Sequence, residues 1–193
     1  MTPLILGLVL FLGVHSLRIV AEGWRNRTRA RLGPGPWKGL YTLLSLAGLA
    51  LIVWGFGQAR AAPVPLWTTP LWTRHLAGLL MWFALVLLAA AYVPGNQIKA
   101  RLQHPMVLAV KLWGLAHLLA NNTLADLLLF GSFTLWAVFN FRAARQRDRA
   151  APPAMVSAGP GGTLLAVAVG TLAWALLAFW AHGAWFGVRP FGR

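Results

Sequence analysis

The sequence has no cysteine and, in 193 residues, only three acidic side chains, Glu22, Asp126 and Asp148. The first absence excludes disulfides, thiolate zinc sites, iron–sulfur clusters and cysteine nucleophiles. Any metal chemistry must therefore rest on His, Met, Asp, Glu or backbone oxygen. The second absence leaves 17 Lys and Arg almost unopposed, for a net charge of +14. In a soluble chain such a balance would suggest nucleic acid. Charged residues are only 10% of this chain, however, against about 25% in a soluble domain. Also missing are a phosphate-binding glycine loop, a serine-nucleophile motif, an internal repeat and paired broken helices of the transporter kind.

What is abundant is apolar: 59% of the residues, with a mean hydropathy of +0.65. That composition describes a polytopic membrane protein, with no nucleic-acid partner. Crossing a bilayer takes about 20 apolar residues, and windows of that kind fall near 3–20, 38–58, 75–93, 105–121, 123–141 and 163–186. All six are expected to be helices, because a backbone in lipid must satisfy its own hydrogen bonds. The expected fold is thus an all-α membrane bundle of about six transmembrane helices in a single domain over 1–193. No basic region precedes the first apolar run, which reads as an uncleaved span. Residues 21–37 and 142–162 read as solvated basic loops, and the proline-rich 59–74 as an extended surface segment.

Charge gives the orientation. Counting Arg18 and Lys38 at the adjoining span ends, twelve Lys and Arg belong to the connections between spans one and two, three and four, and five and six, and four fall on the other side, with Lys111 left inside a span. By the positive-inside rule the basic side is cytoplasmic and both termini face outward, which in a bacterial inner membrane is the periplasm. Trp37, Trp67, Trp72 and Trp185 sit at expected interfaces as anchors.

Against this apolar background, residues 103–122 carry two histidines and a lysine toward membrane depth, where ionisable groups mark functional sites by default. His104-Pro105 forms a helix start, so His104 is either an interfacial residue or an alternative ligand. Lys111 either snorkels to the interface or serves an anion inside the bundle. His117 lies four residues before the Asn121-Asn122 turn signal and Asp126 four after Asn122, which sets the two at similar depth. A carboxylate behind an imidazole is the arrangement that supports metal ligation; the alternative is a polar pair holding two helices together. In the first span His15, Arg18 and Glu22 share a helix face, so Arg18 and Glu22 can pair and leave His15 free. His75 and His182 start and end spans near the outer side. Imidazoles on different helices make haem or another metal conceivable.

The chain resembles the NnrU family of bacterial membrane proteins over nearly its whole length. The resemblance rests on His15-Ser16-Leu17-Arg18, Ala91-Tyr92-Val93-Pro94-Gly95-Asn96, Ile98-Lys99-Ala100-Arg101, His104-Pro105-Met106, Lys111-Leu112-Trp113, Ala116-His117-Leu118-Leu119-Ala120-Asn121, Leu129-Phe130-Gly131, His182 and Phe186-Gly187-Val188-Arg189-Pro190. It departs at Asn122-Thr123, where the family more often has Gly-Asp. The resemblance implies an inner-membrane protein linked to denitrification and nitrogen-oxide metabolism. A distant relative of that family, 15-cis-zeta-carotene isomerase, holds haem b through histidines, which implies His117 and His15 as iron ligands here. Lys111 and Arg18 are then candidate propionate partners and Asp126 a supporting carboxylate. The implied chemistry is redox or isomerase-like, with a redox partner or reductase, nitric oxide or a hydrophobic small molecule as partners. The alternative is an accessory or assembly protein for nitrite or nitric oxide reduction, with no cofactor.

Overall fold

The computed structural model describes residues 1–152 and 157–192. Its helices are α1 (Thr2–Val20), α2 (Glu22–Leu32), α3 (Pro34–Ala61), α4 (Leu71–Tyr92), α5 (Gln97–Leu102), α6 (Pro105–Ala120), α7 (Leu124–Ala150) and α8 (Pro160–Leu176). A π-helical turn (Leu177–Ala181) leads from α8 into α9 (His182–Phe186). Proline stands in the first turn of α1, α3, α6 and α8, where its missing N–H costs nothing. α7 begins with a capping box: the Thr123 side chain accepts from Asp126 N–H, and the Asp126 carboxylate accepts from Thr123 N–H at 3.1 Å.

Among the described residues five helical stretches are long and apolar enough to cross a membrane, the fifth running through Pro160–Phe186. The sixth expected span is α6, which at 16 residues is shorter. It would rise about 24 Å against a hydrocarbon core of about 30 Å. Packing between α4 and α7 gives α6 helix neighbours in place of lipid along much of its length.

The described residues of the two basic segments read as loops are largely helical, with 153–156 of the second lying outside the described residues. Residues 22–32 form α2, and α7 continues to Ala150, past the end expected at 141. Both are polar helices that extend beyond the apolar spans, and neither can be recognised by hydrophobic length. The proline-rich segment is extended over part of its expected range. Val64 and Leu66 pair with the α6–α7 turn through Leu124 N–H to Val64 O and Leu66 N–H to Asn122 O.

The two ends of the bundle are fixed by contacts between segments remote in sequence. At one end Arg147 donates to Arg18 O and Arg145 to Gln103 Oε1, so three basic connections meet. At the other end lie the 64–66 and 122–124 pairing and the bond from Arg60 to Phe186 O. These contacts place the end of α1, the start of α6 and the end of α7 at one end of the bundle, and the end of α3 and the α6–α7 turn at the other. The chain is a multi-pass all-α membrane protein.

Burial follows the membrane pattern. The buried positions are mostly alanine and glycine, whereas Leu43, Val53, Leu164, Leu172 and Phe179 are exposed on the bundle surface. Without a hydrophobic drive between helices, small residues let backbones approach and dispersion holds them. Gly7 and Gly48 admit the backbones of Ile52 and Phe11, so that α1 and α3 touch along their length, and Gly170 admits Val86 between α8 and α4. The larger core side chains, Leu4, Leu8, Ile52, Leu129 and Phe130, fill the half of α1, α3 and α7 away from the basic end, called the outer half for its distance from that end.

Asn96 joins α4 to α5. It is 2% exposed, donates to Ala90 O at 2.9 Å and Val93 O at 2.6 Å, and accepts from Lys99 N–H at 2.7 Å. Asn96→Ala leaves these groups without their partner. The expected cost is about 3 kcal/mol, seen as a melting temperature lower by roughly 5–10 °C in a thermal-shift measurement in detergent.

Candidate functional site

Solid packing in the outer half gives way, toward the basic end, to a cleft of about 1020 Å³ between α1, α2, α3, α6 and α7. Its floor includes Val14, His15, Tyr41, Trp136 and Asn140, and its walls carry Arg18, Arg25, Arg29, Lys38 and Arg147. The space exists because α2 and the end of α7 lie outside the close-packed apolar bundle and hold their long side chains over it.

His15 is oriented by its own helix. Its Nδ1 is 2.7 Å from Phe11 O, which fixes that nitrogen as the N–H donor and leaves Nε2 as the acceptor. The ring stacks on Phe11 at 4.2 Å and meets the edges of Tyr41 at 5.2 Å and Trp136 at 6.2 Å. Trp136 Nε1 is buried and has no hydrogen-bond partner. An orphaned indole N–H beside a cavity asks for an acceptor from a ligand.

His104 opens into the same cleft from the start of α6. Its Nε2 lies 2.8 Å from Asp148 Oδ2, and that carboxylate also takes Arg145 at 3.6 Å. The carboxylate-backed imidazole is therefore His104 with Asp148. Asp126, expected behind His117, accepts through Oδ2 from Thr123 N–H and from the Thr123 hydroxyl at 2.6 Å, within the α7 cap.

His117 occupies a different place. Its Nδ1 is 2.8 Å from Trp113 O, and its ring stacks on Phe130 at 4.4 Å. The structure does not bring His15 and His117 together. His15 lies 13 residues from the outer start of α1 and His117 three from the outer end of α6, about 15 Å apart along the bundle at 1.5 Å per residue. One metal ion needs imidazole nitrogens about 4 Å apart, twice a bond of about 2 Å. The interval is filled by aromatic rings: His15 on Phe11, Phe11 on Phe133 at 5.7 Å, Phe133 on Trp113 at 5.5 Å, and Trp113 against His117 at 5.3 Å.

The remaining candidates separate as well. Arg18 lines the cleft and pairs with Glu22 at 3.3 Å, as the spacing suggests. Lys111 is exposed on the face of α6 away from the bundle interior, consistent with snorkelling and not with a group inside it. His75 stacks on Phe191 at 6.1 Å, and His182 bonds Val188 O at 2.6 Å, both at the outer end. Among the described residues no three His, Asp or Glu side chains form a metal-binding group.

Sequence reading missed Asp148, Tyr41, Trp136 and Asn140 as site residues. Asp148 had a signal, since it is the one acid within a run of four arginines. The others are unremarkable in sequence and gain meaning only from the cavity.

The donor set can be compared with what haem requires. An imidazole with a fixed tautomer and a free Nε2, apolar walls from Val14, Leu17 and Val107, a buried N–H lacking a partner and several guanidinium groups all fit a macrocycle bearing two carboxylates. The family model described as NnrU protein matches residues 3–190. No curated protein and no solved structure matches the chain.

Proposed function

Because the chain belongs to the NnrU family, we propose that it is a haem b protein of the bacterial inner membrane, serving nitrogen-oxide metabolism, with the basic cleft as the haem site and both termini in the periplasm. The observation that carries this reading is His15, which lines the cleft with its Nδ1–H held by Phe11 O, beside Trp136, whose indole N–H is buried without a partner. Bound haem would supply one-electron redox chemistry.

The chain's own residues have separable tasks. His15 Nε2 would hold the iron, with the Phe11 carbonyl keeping the ring in the tautomer that leaves this nitrogen free. Arg18 and Arg147, which line the cleft, would hold the propionates. Trp136 Nε1, buried and without a partner, would donate to an acceptor brought beside it. His104, hydrogen-bonded to Asp148 at 2.8 Å, is the second imidazole of the cleft. His117 belongs to the packed outer half.

The accessory reading has its own support in that packing, since a histidine stacked on Phe130 and tied to Trp113 O can be simply a helix-joining residue. The visible spectrum of the full chain, purified in detergent from haem-replete cells, separates the two. The expected result is a Soret band with sharpened α and β bands on reduction. Folded but colourless protein would sink the haem reading in favour of the accessory one.

A further inference from the structure

The cleft carries more positive charge than two propionates would use. Besides Arg18 and Arg147, its mouth is lined by Arg25 and Arg29, one turn apart on the same face of α2, and by Lys38 at the start of α3. The ion pairs among the described residues are Arg18–Glu22, His104–Asp148 and Arg145–Asp148, and none of them takes these three cations. Trp37, which is 8% exposed, lines the same cleft; Arg25 lies over its ring at 6.0 Å, and Trp24 meets it edge-on at 6.3 Å. α2 is polar and has no buried residue, yet it joins two apolar spans at one end of the bundle. That position puts its guanidinium groups at headgroup level.

We propose that the mouth of the cleft, where Arg25, Arg29 and Lys38 converge, binds the anionic headgroup of a phospholipid in the leaflet at the basic end. A positive-inside bias requires only an excess of charge, placed anywhere on that side. Here cations from α2 and α3, separated in sequence by the Gly33-Pro34 turn, face one cavity, whereas Arg27, Arg31 and Arg142 do not line it. A phosphodiester accepts from several N–H donors at once, and a carboxylate or phosphate is what such a fork recognises. A lipid supplies this oxyanion at the depth where α2 lies, which a free phosphate in solution would have to reach unaided.

The site needs no cofactor, so the test uses the full chain purified without added haem, and its failure leaves the haem reading standing. Native mass spectrometry after delipidation would measure retention of added phosphatidylglycerol, phosphatidylethanolamine and inorganic phosphate. The expected result is one phosphatidylglycerol bound at least about tenfold more tightly than phosphatidylethanolamine. Arg25→Gln/Arg29→Gln/Lys38→Gln removes that preference, and Arg27→Gln/Arg31→Gln/Arg142→Gln, with the same change in net charge, keeps it. Should the first variant fail to fold, Arg29→Gln/Lys38→Gln, at two exposed positions, is expected to weaken the preference in the same direction. Equal losses in both triple variants would mean diffuse attraction and overturn the proposal. Equal retention of the two lipids, or phosphate binding as tightly as phosphatidylglycerol, would overturn it too.

Discussion

His15→Ala is expected to lose most of the haem that the wild-type chain retains, while His117→Ala keeps it. Removing a residue that only supports a ligand costs roughly 10- to 100-fold in metal affinity, so removing the ligand itself should cost at least that much. The two histidines, expected from the sequence on one iron, are separated in the structure by the Phe11, Phe133 and Trp113 rings. His117→Ala opens a space beside Phe130 and Trp113 and lowers stability, so haem content is measured per folded protein, by Soret absorbance against the monodisperse peak. Equal loss in both variants, with fold retained, would return His117 to the iron and require α1 and α6 to sit at a different relative depth. Full retention in His15→Ala would remove His15 from the site altogether.

The second large effect concerns α1 and α3. Gly55→Val places a branched side chain where the backbone of Leu4 and Pro3 now lies. The obstacle is main chain and cannot rotate away. Overpacking a core costs about 1–3 kcal/mol even where side chains can adjust, and here the helices themselves must part. We expect a loss of about 3 kcal/mol or more, or roughly 10 °C in melting temperature, read by thermal shift and by the yield of monodisperse protein. Gly57→Ala on the same helix has no atom within 4 Å of the added methyl and is expected to leave the melting temperature unchanged. Equal behaviour of the two variants would mean that α1 and α3 do not approach as described. The same interface supports the cleft, because Gly48 admits the backbone of Phe11, whose carbonyl orients His15. A bulky residue at Gly48 would therefore disturb the histidine as well as the packing.

Stability and site thus divide the bundle between them. The outer half is sealed by large apolar side chains and by the pairing of residues 64–66 with the α6–α7 turn. The basic half opens, because α2 and the α7 extension carry long charged side chains that keep to the interface. Their closures are polar: Asp148 to His104, Arg145 to Gln103, Arg147 to Arg18 O.

The sequence by itself determined the class of molecule, an all-α membrane bundle, and its family. Those properties follow from hydrophobic length and from motifs spread along the whole chain, both of which are one-dimensional. Local reading also found the Arg18–Glu22 pair and the start of α6 at Pro105, because both depend on residues within one turn. It could not see that α2 is helical, since a short polar helix has no apolar period to reveal it. Nor could it choose among five histidines. Which of them share a cavity depends on how deep each helix sits and how it is rotated, and those are set by glycine contacts and by pairings between residues more than forty positions apart, such as His104 with Asp148. Tertiary structure alone put Asp148 behind His104, sent Asp126 to a helix cap, turned Lys111 away from the bundle interior and left Trp136 with an unanswered N–H beside His15.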